Sequence, residues 1–484
     1  MATAAAGKAA LAAAGIIGAA AVVGPWLIGM RLESSFRDSV ASLSAQSPYP
    51  ITVSSYQRGL YAAEAETVID IAVPPEPHSA AVGEASPDPE VLHLRLHHAI
   101  SHGPRLDGLL RSARMVTTPV FDAEIAAALQ PLFGALPLFT LITDVGYGGG
   151  ASGSLRSPAI DTTRPGQGAD AKPVHLQWSG VESTYALSGG HLRFHLDAPG
   201  LSLTGDDEAS GSVGAIVAAA DMSRIADSPI WIGTSTLSVD SIAFKAEAGG
   251  FSLNQLAIAS DTAISNGLMN SGVRFSAATV ALATQRLEQL RLNLAFDHLD
   301  TGAVTELSTA LNRYQQMHGP DGAAANPAAM MAELKPALGR LAAGQPEVRV
   351  DELSFSGPEG AVKIDGALRY IGDANFDDFS PMTDLEGRAQ LDAPLSYVNL
   401  MLGEKLRGDI ATSAGVAPGD VPPEVIASSV QSTRNGLVAQ GLLVVDGTRV
   451  SSKIDFKGGA LSINGKALGV GAAPTAQSSE PMSP

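Results

Sequence analysis

Short runs in which apolar and polar residues alternate dominate this chain. Val174–Leu176–Trp178 and Leu192–Phe194–Leu196 are two of them. Alternation puts every second side chain on one face, so each run predicts a strand with one buried and one wet face. Such strands favour antiparallel sheets, because parallel sheets are usually covered on both faces. Three octets share a further pattern: LSVDSIAF (237–244), FSLNQLAI (251–258) and VRVDELSF (348–355). Their apolar residues fall at offsets 0, 2, 5 and 7. The step of three reverses the face, and a β-bulge near Asp240, Asn254 and Asp351 would restore one continuous apolar face. A β-rich, alanine-rich chain also produces such matches by chance, and the octets lack the fixed period of a solenoid.

Helical spacing interrupts the alternation. It predicts helices over 32–45, Asp122–Phe133, Thr301–Met317, Pro327–Ala343, Pro394–Leu406 and Pro423–Val438, with Asp300 as the N-cap of the third. These are short and amphipathic, as suits helices laid on a sheet. Near the C-terminus, LLVVDGTRVSSKIDFKGGALSING carries turn signals at Asp446-Gly447 and Gly458-Gly459, which predicts a three-run β-meander. Proline- and glycine-rich segments at 74–90, 161–173 and 318–327 read as flexible loops, and 469–484 as a disordered tail. The fold class expected is α+β and β-rich: a large antiparallel sheet, curved and extended, with short packed helices. Length alone suggests about three domain-sized units, but the β-rich pattern is read as one body over 31–468.

The N-terminus adds a compartment. Ala9 to Met30 is a run of 22 residues without a charge. As a helix it spans about 33 Å, matching a hydrocarbon core of roughly 30 Å. Lys8 and the terminal amine precede it, which favours residues 1–8 staying in the cytoplasm. A cleaved signal peptide is the alternative, but its apolar part would usually be shorter. Either way the rest of the chain is expected outside the cytoplasm. The anchor has no clean GxxxG, so helix association is not inferred from it.

Charge and composition narrow the function. With 49 acidic against 31 basic residues the net charge is −18, the reverse of the basic footprint of a nucleic-acid binder. There is no cysteine, which removes thiolate nucleophiles, iron–sulfur clusters, cysteine-ligated zinc and disulfides.

Several short motifs stand in a telling order. After the apolar N-terminus come Tyr56-Gln57-Arg58-Gly59-Leu60-Tyr61, leading into Ala63-Glu64-Ala65-Glu66-Thr67, and then Ser101-His102-Gly103-Pro104. Trp231-Ile232-Gly233 follows, and the meander ends in Leu461-Ser462-Ile463-Asn464-Gly465-Lys466. This layout resembles the YdgA-like family of bacterial envelope proteins. The resemblance implies an inner-membrane-anchored periplasmic protein of unknown function. It marks Arg58, Gly59, His102, Gly103, Pro104, Trp231, Asn464 and Gly465 as structural landmarks and supplies no catalytic residue.

The densest candidate chemistry is HLRLHHAISHGP (93–104), with His93, His97, His98 and His102. On a strand, alternation splits these into His93 and His97 on one face and His98 and His102 on the other. His98 and His102 would lie about 13 Å apart at 3.3 Å per residue, too far to share one ion. His102 is read instead as a backbone contact at a strand end, where Gly103-Pro104 turns the chain. Asp373-Ala-Asn375-Phe-Asp377-Asp378 imitates a calcium loop but lacks the sixth-position glycine and the twelfth-position glutamate. GALSINGKA (459–467) has one residue too many between its glycines for a P-loop. Neither G-x-S-x-G nor H-E-x-x-H occurs.

The expectation is therefore a non-enzymatic, membrane-anchored envelope protein without metal or cofactor, binding a lipid or an apolar segment in a β-sheet groove. A periplasmic scaffold that binds another envelope protein is the first alternative. A hydrolase with a dispersed site is the second.

Overall fold

The computed structural model describes residues 33–73, 90–102, 111–164, 173–205, 210–318, 327–373 and 379–468, except 45–46, 48, several positions between 122 and 136, 227, 229, 247–248 and 283–284. The expected anchor at 9–30, the loop at 74–89, Gly103, Pro104, most of 122–133, the core of the acidic loop and the tail lie outside these residues. Among the described residues no helix is long and apolar enough to cross a membrane. The stretch read as one body comprises two compact units that divide between Arg224 and Ile225.

Unit 1 opens with helix α1 (33–44). Its strands are β1 (Ile51–Arg58), β2 (Ala62–Val73), β3 (Glu90–His102), β4 (Ala113–Val120), β5 (Thr140–Val145), β6 (Ala151–Ser157), β7 (Ile160–Arg164), β8 (Val174–Trp178), β9 (Val181–Ser188), β10 (His191–Ala198), β11 (Leu201–Thr204), β12 (Ser210–Val213) and β13 (Ile216–Arg224). Neighbours pair antiparallel in the order β1-β2-β3-β4-β5-β6-β9-β10-β13. A second run pairs β7-β8-β11-β12. Residues 161–164, expected as loop, are strand, because Asp161 to Arg164 pair with Gln177 to Val174.

The two runs are one set of strands bent along a line. β6 passes into β7 through Pro158-Ala159, β8 into β9 through Ser179-Gly180, β10 into β11 through Pro199-Gly200, and β12 into β13 through Gly214-Ala215. The register does not change across the bend: Ser157 faces Val181 on one side and Ile160 faces Trp178 on the other. Ala198 faces Ile216 and Leu201 faces Val213 in the same way. Proline has no N–H for a ladder bond, so it belongs at such an interruption. Gly180 has φ +87°, and a Cβ there would lie 2.8 Å from the Ser157 carbonyl oxygen. Each strand thus makes a three-residue step that keeps its apolar side chains on one face.

Unit 2 is a run of hairpins: β14 (Trp231–Ala246), β15 (Gly249–Ser265), β16 (Leu268–Leu282), β17 (Gln285–Asp300), β18 (Glu347–Gly357), β19 (Gly360–Tyr370) and β20 (Leu385–Pro394). Each pairs antiparallel with the next. Four further strands complete it: β21 (Val444–Asp446), β22 (Arg449–Lys457), β23 (Ala460–Ile463) and β24 (Lys466–Leu468). β22 pairs with β20, β21 and β23, and β23 with β24. The meander therefore has one strand more than expected, because Asn464-Gly465 is itself a turn.

Four helices of unit 2 begin within one residue of where the spacing put them. α2 (Thr301–His318) is capped by Asp300, whose Oδ1 accepts from the Ala303 N–H at 2.7 Å. α3 (Pro327–Ala343) follows, then a single turn α4 (Pro381–Asp384). α5 (Leu395–Ala414) runs well past its expected end and stops at Gly415, φ +68°. α6 (Pro423–Ala439) packs on α5 through Ile426 and Val430.

Unit 2 also bends along a line. The ladder skips Asp240–Gln255, Gln255–Ala278 with Leu256–Ala277, and Ala278–Gln289, while the registers on both sides match. Gln255 and Gln289 are left-handed there, φ 52° and 54°. On β18 the extra residue lies between Val350 and Leu353, at Asp351–Glu352. The face-restoring breaks thus sit at Asp240, beside Asn254 and at Asp351.

Candidate apolar binding surface

The breaks align the apolar residues of unit 2 into rows across the sheet. One row reads Leu237, Ile258, Phe275, Leu292, Leu353, Ile364, Leu391, Ser452. The next reads Ser235, Ser260, Val273, Leu294, Val350, Gly366, Ala389, Ile454, and the third Gly233, Thr262, Ser271, Phe296, Val348, Leu368, Gly387, Phe456. None of these residues is ionisable. Their hydroxyls are already used: Ser235 with Ser260 at 2.7 Å, Thr262 with Ser271 at 3.0 Å, and Ser452 donating to the Leu442 carbonyl at 2.9 Å. The opposite face carries the charges, as ion pairs Arg274–Asp261, Arg349–Asp297, Arg449–Asp392 and Lys457–Glu386.

Burial along the apolar face is graded. Val239 and Ala277, beside the break, are 6% and 2% exposed. Phe244 and Leu282 at the hairpin tips are 55% and 62% exposed, and Val348 and Leu368 at the other end 42% and 47%. α5 meets this face at one point of β18, where Tyr397 lies edge-on to Phe355 at 5.5 Å. An apolar face of this kind gains free energy from any apolar cover. Covering a half-exposed leucine such as Leu368 is worth on the order of 1 kcal/mol.

The histidine segment forms β3 of unit 1, and the ladder divides it as alternation requires. His93 is exposed, with Nδ1 2.7 Å from Asp70 Oδ1. His98 and His102 are buried on the other face. His98 Nε2 lies 2.9 Å from Thr67 Oγ1 and its Nδ1 2.8 Å from Thr117 Oγ1. A neutral imidazole fits this pair, donating to one hydroxyl and accepting from the other. Burial, and next the neighbouring His97, push its pKa down to about 4. The Phe36 ring of α1 stands edge-on to His98 at 5.3 Å and packs near Tyr56 at 5.8 Å, over a floor of Ala63, Ala65 and Ile100. The role of His98 was not legible locally, because its threonines come from β2 and β4.

The remaining landmarks hold turns. His102 donates its backbone N–H to the Tyr61 carbonyl at 2.9 Å. Arg58 lies 3.8 Å from Glu33 of α1, and Gly59 donates to the Ala62 carbonyl at 2.7 Å in a turn too tight for a Cβ. Trp231 opens β14. Asn464 and Gly465, φ 51° and 77°, make the two-residue turn between β23 and β24. Asn464 Oδ1 also accepts from the Lys453 N–H, and its Nδ2 donates to the Gly441 carbonyl. Arg58, Gly59 and His102 thus gather at one end of β1–β3, while Trp231, Asn464 and Gly465 belong to unit 2.

A family model described as a bacterial protein of unknown function (DUF945) matches residues 7–470. The chain belongs to this family. No curated protein and no solved structure matches it. Membership of the DUF945 family assigns no activity, so the chemistry of the surfaces carries the functional reading.

Proposed function

We propose that this DUF945 protein is a membrane-anchored envelope protein, YdgA-like as its motif order suggests, that holds the apolar chains of a lipid on unit 2. In this reading residues 9–30 anchor it in the inner membrane and the body lies in the periplasm. The supporting observation is the face itself: rows of side chains across β14–β22 with no ionisable group and with each hydroxyl already in a hydrogen bond. A polypeptide partner brings backbone N–H and C=O groups that need partners when buried. An acyl chain brings none.

Site-specific photo-crosslinking in bacterial envelopes tests this. A photoreactive phenylalanine analogue at Phe275 should give lipid adducts by mass spectrometry, and the same analogue at Arg274, on the charged face, should not. Adducts to protein alone at Phe275 would replace the lipid reading with the scaffold reading.

A further inference from the structure

We infer a second apolar site, in unit 1, that takes a single acyl chain. The crease between β6–β7 and β8–β9 opens a pocket of about 350 Å3, partly open to solvent. Leu155, Ile160, Leu176, Trp178, Val181 and Leu201 line it, with Phe139 and Leu138 entering from the segment before β5. The bend makes the pocket. Because each strand steps by three residues there, Leu155 from one side and Trp178 and Leu201 from the other turn toward the same space, while no ladder rung fills it.

The lining sets the ligand chemistry. Its polar side-chain atoms are Ser157 Oγ and Trp178 Nε1, and the indole N–H donates to that hydroxyl at 2.9 Å. No charged residue lines the pocket. Ligand pockets ordinarily keep a few polar groups to orient their contents. Here the indole donor is spent and one serine hydroxyl hydrogen remains, too little to compensate the desolvation of a headgroup, a sugar or a peptide backbone. At about 30 Å3 per water-sized group the space holds on the order of 12 heavy atoms. That suits one chain of about a dozen carbons and is too small for a pair of long chains. The site stands independently of the unit 2 face.

The test uses the full chain with Trp26→Phe and Trp231→Phe, leaving Trp178 as the sole tryptophan. Titration with 12-bromododecanoic acid below its aggregation concentration should quench Trp178 emission saturably, by more than half. Ile160→Phe, which fills the pocket, should weaken binding at least tenfold, while the volume-conserving Leu201→Met should retain it. Both variants are compared at equal folded fraction, checked by circular dichroism. Leu292→Glu, on the unit 2 face, should leave the titration unchanged, which separates this site from the proposal above. Quenching that is linear in ligand, or equal in Ile160→Phe, would overturn the assignment. So would full displacement of the bromo acid by a capped oligoleucine peptide, because it would make a polypeptide the better occupant.

Discussion

Both units bend a sheet with a three-residue step, but they make it from different residues. In unit 1 the step falls on Pro158, Gly180, Pro199-Gly200 and Gly214, and the ladder is interrupted over two residues per strand. In unit 2 it falls on Asp240, Gln255, Ala278 and Gln289, where one rung is skipped on the β14–β15 and β16–β17 ladders and two on β15–β16, and no strand ends there. Glycine and proline suit a sharp, open crease because one tolerates φ > 0 and the other surrenders its donor. Glutamine in the left-handed region is strained by roughly 1–2 kcal/mol, and the flanking pairs must hold it there. Where the strands end at the bend a cavity is left; where they run through it the face is continuous. Whether strands break at a bend or carry on through it decides whether the sheet offers a pocket or a surface.

Acid should separate the two units most strongly. His98 is neutral when folded and its pKa, about 4, lies below the ordinary 6.5. Unfolding therefore takes up a proton below pH 6.5. The stability this histidine contributes is present above that pH and is lost as pH falls toward 4, by about 3 kcal/mol. Among the described residues the buried histidines are both in unit 1. Hydrogen exchange followed from pH 7 to 4.5 should show β2–β4 losing protection before β15–β17. Equal loss in both would mean that His98 does not govern the acid response.

Gly180→Ala should come next. The left-handed φ and the 2.8 Å approach to Ser157 O predict a loss of about 2–3 kcal/mol, read by chemical denaturation with Trp178 emission. The equivalent exchange in unit 2 should have the opposite sign. Gln255→Gly removes a strained φ and should stabilise by about 1 kcal/mol, measured as a rise in denaturation midpoint. A loss on Gln255→Gly would show that the glutamine side chain does more than occupy the bend. Smallest is Asn464→Ala, which removes both side-chain bonds to Lys453 and Gly441 and the residue's tolerance of φ 51°. It should cost about 1 kcal/mol, seen as faster exchange in β23 and β24.

The sequence made much of this legible, and the gaps have physical causes. Alternation located the strands and capping placed α2, since both depend on near neighbours. The 0, 2, 5, 7 spacing was visible in β14, β15 and β18. In unit 2 it also runs through Phe275, Ala277, Val280 and Leu282 of β16. In unit 1 it runs through Leu176, Trp178, Val181 and Ser183. Those copies were hidden because alanine and serine stand at apolar positions and no aspartate marks the step. The strand at Ile160–Arg164 was masked by the prolines and glycines that follow it. Side-chain hydrogen bonds between distant strands were least legible. The Trp178–Ser157 bond and the His98–threonine pairs join distant strands, and no local pattern records which hydroxyl ends beside which ring.

From β14 to β18 unit 2 adds strands with only helices α2 and α3 between, and every strand to β20 pairs with its predecessor. Such a chain can assemble in the order in which it is synthesised, each hairpin from β14 to β17 closing a short loop before the next segment arrives. Two strands have to wait: β17, its outer edge open until α2 and α3 have followed and β18 can dock, and β20, its edge open until α5, α6 and β21 have followed and β22 can dock. Those intervals are when the growing sheet is most exposed to pairing with a neighbour's edge, and they are where a molecular chaperone would find its long-lived targets.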